Sequence, residues 1–396
     1  MDVLAPRIDS ERLSVGSNAT LLPIAVCAVV GYIACQFESS YIFSVYAVLM
    51  WGVARSRLHA YLYIVTYTGF STWVVVPAII DYLSWHPVHA LLFWCIGMPL
   101  AMLPWALLYR RDGRYIEIRL LAVMVLTWIP PIGAAQFASP FVGTSLLVPG
   151  FGVVSIAIGL LMTGFLTRVI RARWYNCVGF IAVPVIAFNF LMSGEKIPDW
   201  IAVDTAVKVG GIVHTIEGSM DALTQVKSVA RDKKPRVAVL GESTGGYSIG
   251  AGERVLRSVL GDTVILAGGR IDEKQAVFKW SNDGDSAAIY HQRLRPILLE
   301  PQDGKIDGNK TALVDGLLIA PLICYEGSVP YPIFLALLEN PDAIVSMANF
   351  HWSRNDLYFS RVLRAHIGAW GRIWNVPTLV AINTAEVGYC LNSILL

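Results

Sequence analysis

A cysteine, Cys324, stands at the end of the apolar segment 316–324, and a carboxylate, Glu326, follows two residues later. Side chains of a β-strand alternate between its two faces, so this pattern predicts that the thiol and the carboxylate point the same way. A thiol attacks a substrate as the thiolate, and it therefore needs a base or a positive charge nearby. The spacing predicts a nucleophilic Cys324, with Glu326 either setting its protonation state or holding a substrate.

Two further carboxylates stand at predicted strand ends and are candidate general bases. Glu242 follows the short buried strand 236–240, and Glu300 follows the segment 294–299. Burial raises the pKa of a carboxyl group, which suits it to take a proton from a thiol near neutral pH. The histidines of this half do not have the spacing of metal ligands, so we expect neither a metal nor another cofactor. They are His214, His291, His351 and His366.

Strands and helices alternate through the part of the chain that contains these residues. This alternation is typical of a layered α/β fold, in which functional residues gather at strand ends. The predicted strands are 200–207, 236–240, 263–268, 276–280, 287–290, 313–324, 342–348 and 377–382. The predicted helices are 214–231, 251–260, 330–338 and 356–374, and a turn signal at 282–284 indicates a hairpin.

The first half of the chain is much more apolar. Of the 396 residues, 55% are hydrophobic and only 15% are charged. Soluble domains have about a quarter of their residues charged, so a large part of this chain is expected to lie in lipid. The net charge of +2 is too small to indicate contact with nucleic acid. Candidate membrane spans are 20–36, 40–54, 58–80, 87–109, 120–136, 145–167 and 174–192. A span needs about 20 residues, so the second of them is short.

Charges in the loops predict an orientation. Arginines follow the second, fourth and sixth predicted spans, whereas the alternate loops contain Glu38, Asp81 and, at 137–143, no charge. Positive residues remain on the cytoplasmic side of a membrane, which places the N-terminus there. We therefore predict a multi-pass transmembrane domain at 1–193 in a bacterial inner membrane and a periplasmic α/β domain at 194–396. The arginines are Arg55, Arg57, Arg110, Arg111, Arg114, Arg168, Arg171 and Arg173.

Four short motifs follow one another in the order used by the nitrilase superfamily of carbon–nitrogen hydrolases. They are Gly241-Glu242-Ser243, Tyr290-x-x-Arg293-Leu294-x-Pro296 with Glu300 beyond it, Ile323-Cys324-Tyr325-Glu326, and Asn349-x-x-Trp352. Together with the apolar half, they resemble the apolipoprotein N-acyltransferases, and within that branch the TraB family of conjugal transfer proteins of conjugative plasmids. The resemblance implies a four-layer α-β-β-α sandwich and a Glu-Lys-Cys triad that forms a thioester with an acyl group.

The resemblance assigns a role to each matching residue. It makes Glu242 the general base and Cys324 the nucleophile, with Glu300 and Glu326 as auxiliary carboxylates. It places three further side chains at the substrate pocket, namely Tyr325, Asn349 and Trp352.

The chain departs from the family at the catalytic lysine. The lysine position, eight residues before Glu300, is occupied by Gln292. An oxyanion that loses a donor of this kind loses about 3–4 kcal/mol of stabilisation. Two other cations are candidate replacements. Arg293 would need a one-residue shift of strand register, because it otherwise faces the other side. Lys279 lies on the preceding strand, with no spacing to support it. The family also continues past Asn383-Thr384 with further strands and a last span, so we expect a domain shortened at its C-terminal end.

Three functions remain open. The first is a membrane-bound component of conjugal plasmid transfer that performs acyl transfer or amide chemistry through a Cys324 thioester, with a pilin or lipoprotein as substrate. The second is a catalytically inactive structural component of the transfer apparatus, marked by Gln292. The third is an apolipoprotein N-acyltransferase, which Gln292 and the shortened end disfavour. The expected partners are membrane lipid and other conjugation proteins.

Overall fold

The apolar half of the chain is helical. The structure, a computed structural model, describes residues 11–37, 39–130, 132–135, 138–172, 196–206, 234–244, 262–271, 274–281, 286–294 and 308–384. The helices of the first half are α1 (Glu11–Ala34), α2 (Val45–Val53), α3 (Arg57–Thr72), α4 (Val75–Leu83), α5 (Pro87–Ala101), α6 (Leu103–Leu108), α7 (Ile116–Trp128), α8 (Pro140–Ser145) and α9 (Val153–Arg171). Pro104, in the first turn of α6, accounts for the break between α5 and α6, because proline cannot donate the hydrogen bond that would continue a helix.

Each of the first six predicted spans contains helix, but several of the helices are short or broken. Among the described residues, two helical segments are long and apolar enough to cross a membrane, Pro87–Leu108 and Val153–Arg171. A third is added if α3 and α4, bent by 46° at their junction, form one span. The seventh predicted span and the predicted domain boundary at 193 lie outside the described residues. The apolar helical character is confirmed, whereas the seven-span topology stays a prediction.

The three arginine-containing loops meet at one end of the helical half. Arg171 donates from Nε to the carbonyl of Gly52 at 2.9 Å and from Nη1 to the carbonyl of Arg111 at 2.5 Å. Arg168 forms an ion pair with Glu117 at 2.7 Å. The ends of α2 and α9 and the loop before α7 therefore lie together, as expected of loops that share one side of a membrane.

The opposite end of the helical half lies against the α/β half. Gly150 and Gly152, just before α9, donate to the carbonyl of Ile373 at 3.1 and 2.8 Å. Helix α9 has 19 residues, which at about 1.5 Å per residue gives a length of roughly 28 Å, close to the thickness of a hydrocarbon core. It therefore runs from the α/β half to the arginine loops.

The α/β half contains two sheets. The first has the order β1 (Trp200–Val203), β2 (Val237–Leu240), β3 (Val264–Ile271), β4 (Lys274–Trp280) and β5 (Ser286–His291), with β1 to β3 parallel and β3 to β5 antiparallel. The second has the order β6 (Ala312–Val314), β7 (Leu317–Ile323), β8 (Ala343–Asn349) and β9 (Thr378–Asn383), in which β7 to β9 are parallel. Strands β7 to β9 are almost continuously apolar, as expected of parallel strands covered on both faces.

Alternate side chains of the second sheet enter two different cores. Val345 and Met347 of β8 pack with Val239 and Leu266 of the first sheet. Ile344 and Ala348, on the other face of β8, belong to a cluster shared with two further helices and the helical half. Those helices are α10 (Pro330–Leu337) and α11 (Asp356–Trp374). The described layers are therefore sheet, sheet, α10 with α11, and then the helical half.

The two sheets join at one corner. Thr205, two residues past β1, donates to the carbonyl of Ile382 at 3.0 Å, and Thr384 donates to the carbonyl of Thr205 at 2.9 Å. A Cβ placed on Gly241, just after β2, would lie 2.7 Å from Asn383 N and 3.1 Å from Ala348 O. Because any side chain there would collide with the second sheet, glycine allows the carboxyl ends of β2, β8 and β9 to meet at one edge.

The predicted strand 313–324 is wrong in two respects. Asp315 and Gly316 have φ of 51° and 79°, and they form a turn that divides the segment into β6 and β7. Strand β7 also ends at Ile323, so Cys324 lies outside it. The hairpin strands β4 and β5 and the helices α10 and α11 are confirmed. The turn at 282–284 and the predicted helices 214–231 and 251–260 lie outside the described residues.

Trp128 tests the packing of the helical half on the α/β half. Its ring contacts Phe334 of α10 and Trp370 of α11, with centroids 5.8 and 5.5 Å apart, and only 5% of it is exposed. We expect Trp128→Ala to reduce the free energy of unfolding by about 3–5 kcal/mol, because the cavity cannot close fully. The matched control, Trp85→Ala, removes a tryptophan that is 39% exposed and should cost less than about 1 kcal/mol. Unfolding of the full chain in detergent micelles measures both, and equal losses would contradict the packing described here.

Candidate functional site

Cys324 occupies a strained turn at the carboxyl end of β7. Ile323 is extended with φ of −106°, and Cys324 then has φ of +49°, in the left-handed region. A short 3₁₀ helix, Cys324–Ser328, follows at once. A non-glycine residue pays about 1–2 kcal/mol for this backbone, so it persists only where surrounding contacts enforce it. The turn holds the half-buried thiol at the edge where parallel strands end.

Glu326 is the residue that enforces the turn. Its side chain is fully buried. Oε2 accepts hydrogen bonds from Ile323 N at 3.1 Å and from Tyr290 Oη at 2.7 Å. Oε1 accepts from Arg293 N at 2.7 Å and Leu294 N at 3.0 Å. The carboxylate therefore fastens the residues after β5 to the turn that carries Cys324.

The position of Glu326 differs from the prediction. Because Cys324 already belongs to the 3₁₀ turn, strand alternation does not relate the two side chains, and the premise that they share a strand face is wrong. Burial raises the pKa of Glu326, while the Arg293 charge and the hydrogen bonds from Ile323, Tyr290 and Leu294 oppose that shift. A role for Glu326 in setting the protonation of Cys324 stays a prediction.

Arg293 contributes to the set of contacts around the Glu326 carboxylate, here called the anchor. Its Nε donates to Tyr290 Oη at 3.1 Å, and its Nη2 donates to the carbonyl of Pro332 at 2.8 Å. Only 3% of the residue is exposed. Its guanidinium therefore balances the buried charge of Glu326 and ties β5 to α10. The hypothesis that Arg293 takes the place of the family lysine receives no support from these contacts.

Gln292 lies beside the nucleophile, at the position expected for the lysine. Its backbone donates to the carbonyl of Gln275 at 2.9 Å, and its Nε2 donates to the carbonyl of Ile323 at 3.2 Å. Ile323 immediately precedes Cys324. Only 4% of Gln292 is exposed, and its Oε1 has no hydrogen-bond partner among the described residues. The turn therefore has a neutral amide next to it, at the position where the sequence resemblance predicts a lysine.

Lys279 lies too far along β4 to replace that cation. Gln275, at the start of β4, marks the site end of the strand, because it contacts Gln292. Lys279 is four residues further on and pairs with Ala287. At about 3.3 Å per residue, this separation is roughly 13 Å. The hypothesis of a role for Lys279 is therefore unsupported.

Glu242 approaches the site from the other sheet. Its backbone nitrogen donates to the carbonyl of Ala348 at 3.2 Å, and only 7% of it is exposed. Ile323 pairs with Met347 in the register of β7 and β8, so Ala348 lies beside Cys324. A Cβ on Gly268 of β3 would lie 2.7 Å from Glu242 Cα. Glycine at this position therefore leaves room for the backbone of Glu242 at the sheet edge.

The three predicted pocket residues are also near this edge. Asn349 Oδ1 accepts from His351 N at 3.2 Å and from Asn383 Nδ2 at 3.1 Å. Trp352 Nε1 donates to the carbonyl of Asn349 at 2.7 Å, which fixes the loop after β8. Tyr325 is 8% exposed and packs with Leu294 and Val329. Their contact with a substrate stays a prediction.

The described site therefore brings together a thiol, a buried carboxylate and an amide at one sheet edge. Glu300 lies outside the described residues. No group of His, Cys, Asp and Glu side chains in the described ranges is placed to hold a metal ion. The sequence did not single out Tyr290 and Arg293 as parts of the anchor. Their spacing from Glu326 gives no local signal, because the contacts join segments more than thirty residues apart.

Sequence comparison relates most of the chain to conjugal transfer proteins. The conjugal transfer protein TraB of Agrobacterium fabrum (strain C58) is 26% identical over 375 residues, covering 85% of this chain and 86% of that protein. A probable conjugal transfer protein TraB of Sinorhizobium fredii (strain NBRC 101917 / NGR234) is 26% identical over 362 residues, covering 85% of this chain and 90% of that protein. No protein-family model matches the chain. The predicted resemblance to TraB is confirmed.

Solved structures similar to this chain come from the nitrilase superfamily. A carbon–nitrogen hydrolase from Helicobacter pylori G27 has a TM-score of 0.35 and 12% identity, covering 48% of this chain and 75% of that one. A mutant of an amidase from Nesterenkonia AN1, of the nitrilase superfamily, has a TM-score of 0.34 and 10% identity, covering 46% and 76%. Because these TM-scores are low, the geometry of the site is established only by the contacts within this chain.

Glu326→Gln tests the anchor without changing its size. The amide keeps an acceptor but presents N–H to donors and leaves Arg293 buried without its counter-charge. We expect a loss of about 3–5 kcal/mol in the free energy of unfolding. The matched control is Glu339→Gln, which removes a carboxylate of the partly exposed ion pair with Lys310 and should cost about 0–1 kcal/mol. Thermal unfolding of the full chain measures both, and a Glu326→Gln chain as stable as the control would refute the anchor.

Proposed function

We propose that this chain is a membrane-bound component of conjugal plasmid transfer whose Cys324 forms a thioester with an acyl group. The position of Cys324 carries the proposal. Its thiol stands on a strained turn, with Glu242 held next to Ala348 on one side and Gln292 bonded to Ile323 on the other. A structural cysteine in a sheet core needs neither the strained backbone nor a buried carboxylate beside it.

The proposed chemistry has two steps. Glu242 takes the proton of the Cys324 thiol, and the thiolate attacks an acyl carbonyl carbon. The C–S bond forms, the bond to the leaving amine or alcohol breaks, and Glu242 returns the proton to the leaving group. An amine or water then attacks the thioester and releases Cys324. A pilin or lipoprotein terminus is the proposed acyl acceptor or substrate.

Gln292 limits the first step. A cation would stabilise the developing oxyanion by charge, whereas Gln292 has only the second hydrogen of its Nε2 to offer, since the first is used by Ile323. A neutral donor is weaker than a charged one. The site is therefore suited to acyl groups with good leaving groups more than to ordinary amides.

A second candidate function follows from the same residue. Gln292 is buried, and its amide joins the end of β5 to the end of β7, which is a structural contact. This observation favours a protein that keeps the fold without the activity and serves as a structural part of the transfer apparatus. An apolipoprotein N-acyltransferase is the least favoured alternative, because the resemblance to those enzymes implies a catalytic lysine where this chain has the neutral Gln292.

We further propose a periplasmic position for the site, in a bacterial inner membrane. The support comes from the two ends of the helical half. Its arginine-containing loops meet at one end, joined by Arg171, and the α/β half packs on the other, at Gly150 and Gly152. Arginines favour the cytoplasmic side, so the α/β half would face away from the cytoplasm.

Removal of the thiol separates the two candidate functions. The variants are expressed in donor cells that lack their own copy of this gene. We expect Cys324→Ala to lower the frequency of plasmid transfer at least about a hundredfold relative to the wild type, as for loss of a catalytic nucleophile. Cys95→Ala, which removes an exposed cysteine of α5, is the control and should transfer normally. Normal transfer by Cys324→Ala at normal protein level would refute the enzymatic function and favour the structural one.

Restoring the family lysine tests the chemistry. We expect Gln292→Lys to speed thioester formation at Cys324 from an activated ester by about 10²–10³-fold, because the ammonium stabilises the oxyanion. Lys279→Gln, which changes a charge at the far end of β4, should leave the rate unchanged. Mass spectrometry of the Cys324 peptide, with and without hydroxylamine, measures the thioester. An unchanged rate in Gln292→Lys, with the fold intact, would show that the site is not built for acyl transfer.

A further inference from the structure

His366 connects the nucleophile turn to helix α11. The residue is fully buried in the middle of that helix. Its Nδ1 lies 3.0 Å from the carbonyl oxygen of Gly327, which belongs to the same 3₁₀ turn as Cys324. Trp370 Nε1 donates to its Nε2 at 3.0 Å. Since an indole nitrogen can only donate, Nε2 accepts, and Nδ1 carries the proton that bonds Gly327.

The ring of His366 is held in one state by its surroundings. Burial lowers the pKa of His366 to about 4, although the bond to Gly327 opposes this shift, so the imidazole is neutral above that pH. A neutral imidazole has one donor and one acceptor, and both are used here. His366 is therefore a fixed link between a helix and the turn.

The helical half reaches the same ring. Tyr41, in the 3₁₀ helix Ser39–Ser44 that leads into α2, stacks on His366 with centroids 5.6 Å apart and planes inclined by 20°. Tyr41 is fully buried, and its hydroxyl has no hydrogen-bond partner among the described residues. The contact made by Tyr41 with His366 is therefore one of ring against ring, and the hydroxyl contributes nothing to it.

The 3₁₀ turn is tightly packed at Gly327. A Cβ on Gly327 would lie 2.8 Å from Leu363 Cδ1 of α11 and 2.9 Å from Ser346 Oγ of β8. Helix and sheet thus enclose the turn closely at Gly327, and the carbonyl of that residue is fixed by His366. A displacement of α11 would move Gly327, and with it the strained backbone of Cys324, three residues earlier.

We infer that His366 is a positioning residue, through which the packing of the helical half sets the reactivity of the Cys324 thiol. The path runs from the Tyr41 ring to the His366 ring, from Nδ1 to the Gly327 carbonyl, and along the 3₁₀ turn to Cys324. It does not depend on which acyl group the site accepts, because its readout is the thiol itself.

Two amide variants separate the two hydrogen bonds of His366. Asparagine places its Nδ2 near the site of Nδ1 and keeps the bond to Gly327, whereas glutamine reaches the site of Nε2 and keeps the bond from Trp370. In the full chain in detergent micelles, we expect iodoacetamide to modify Cys324 in His366→Gln about tenfold more slowly than in the wild type, as for one lost hydrogen bond. His366→Asn keeps the bond to Gly327 but loses the ring on which Tyr41 stacks, so its rate should fall only about threefold. Peptide mass spectrometry reads Cys324 separately from the other cysteines.

A second pair tests the contribution of the helical half. Tyr41→Phe keeps the ring and should leave the alkylation rate of Cys324 unchanged, whereas Tyr41→Ala removes the ring and should lower it several-fold. A wild-type or faster rate in His366→Gln, an equal fall in His366→Asn, or equal rates in the two Tyr41 variants would overturn the inference. Thermal unfolding of each variant shows whether the fold is retained. His366→Asn is the comparison variant that keeps the bond to Gly327 and loses the bond from Trp370. Failure of this test leaves the thioester chemistry untouched, since that is judged by acylation.

Discussion

Glu326 is buried completely, and four hydrogen-bond donors surround its two carboxylate oxygens. A charge in the protein interior is costly unless it is paired and fully hydrogen-bonded, and Arg293 together with those donors supplies both conditions. Two of the donors come from the residues after β5 and one from the last residue of β7. The same carboxylate thereby positions Gln292, which precedes Arg293, and Cys324, which follows Ile323. The left-handed backbone of Cys324 is maintained by these contacts, and the candidate site depends on them.

The two halves of the chain meet in one continuous core. Ile344 and Ala348 of β8, Trp370 of α11 and Trp128 of α7 belong to the same buried cluster. Helix α11 is the element shared by both, since one face covers the second sheet and the other packs against the helical half. The position of the arginine loops at the far end of the bundle supports the proposed membrane position. The proposed effect of the helical half on Cys324, through His366, uses this shared helix.

The sequence was informative where a pattern is local. The segment 356–374 has a 3.6-residue period of apolar residues, and α11 spans Asp356–Trp374 as predicted. The segment 313–324 is apolar except for Asp315-Gly316, and this dipeptide, typical of turns, was a local signal for the division into β6 and β7. Residue type could not reveal the end of β7, because a positive φ at a cysteine has no signature in the sequence. Gln292 was located through family spacing, whereas the partners of Glu326 lie more than thirty residues away along the chain and required the structure.

The central claim is that Glu242 activates Cys324 to take up an acyl group. The most direct measurement is the mass of the Cys324 peptide after the purified full-length protein is incubated with an activated ester, compared between the wild type and Glu242→Gln. We expect an acyl adduct on Cys324 in the wild type that hydroxylamine removes, and its loss in Glu242→Gln with the fold retained. An adduct of equal yield in both proteins, or none in the wild type, would contradict it.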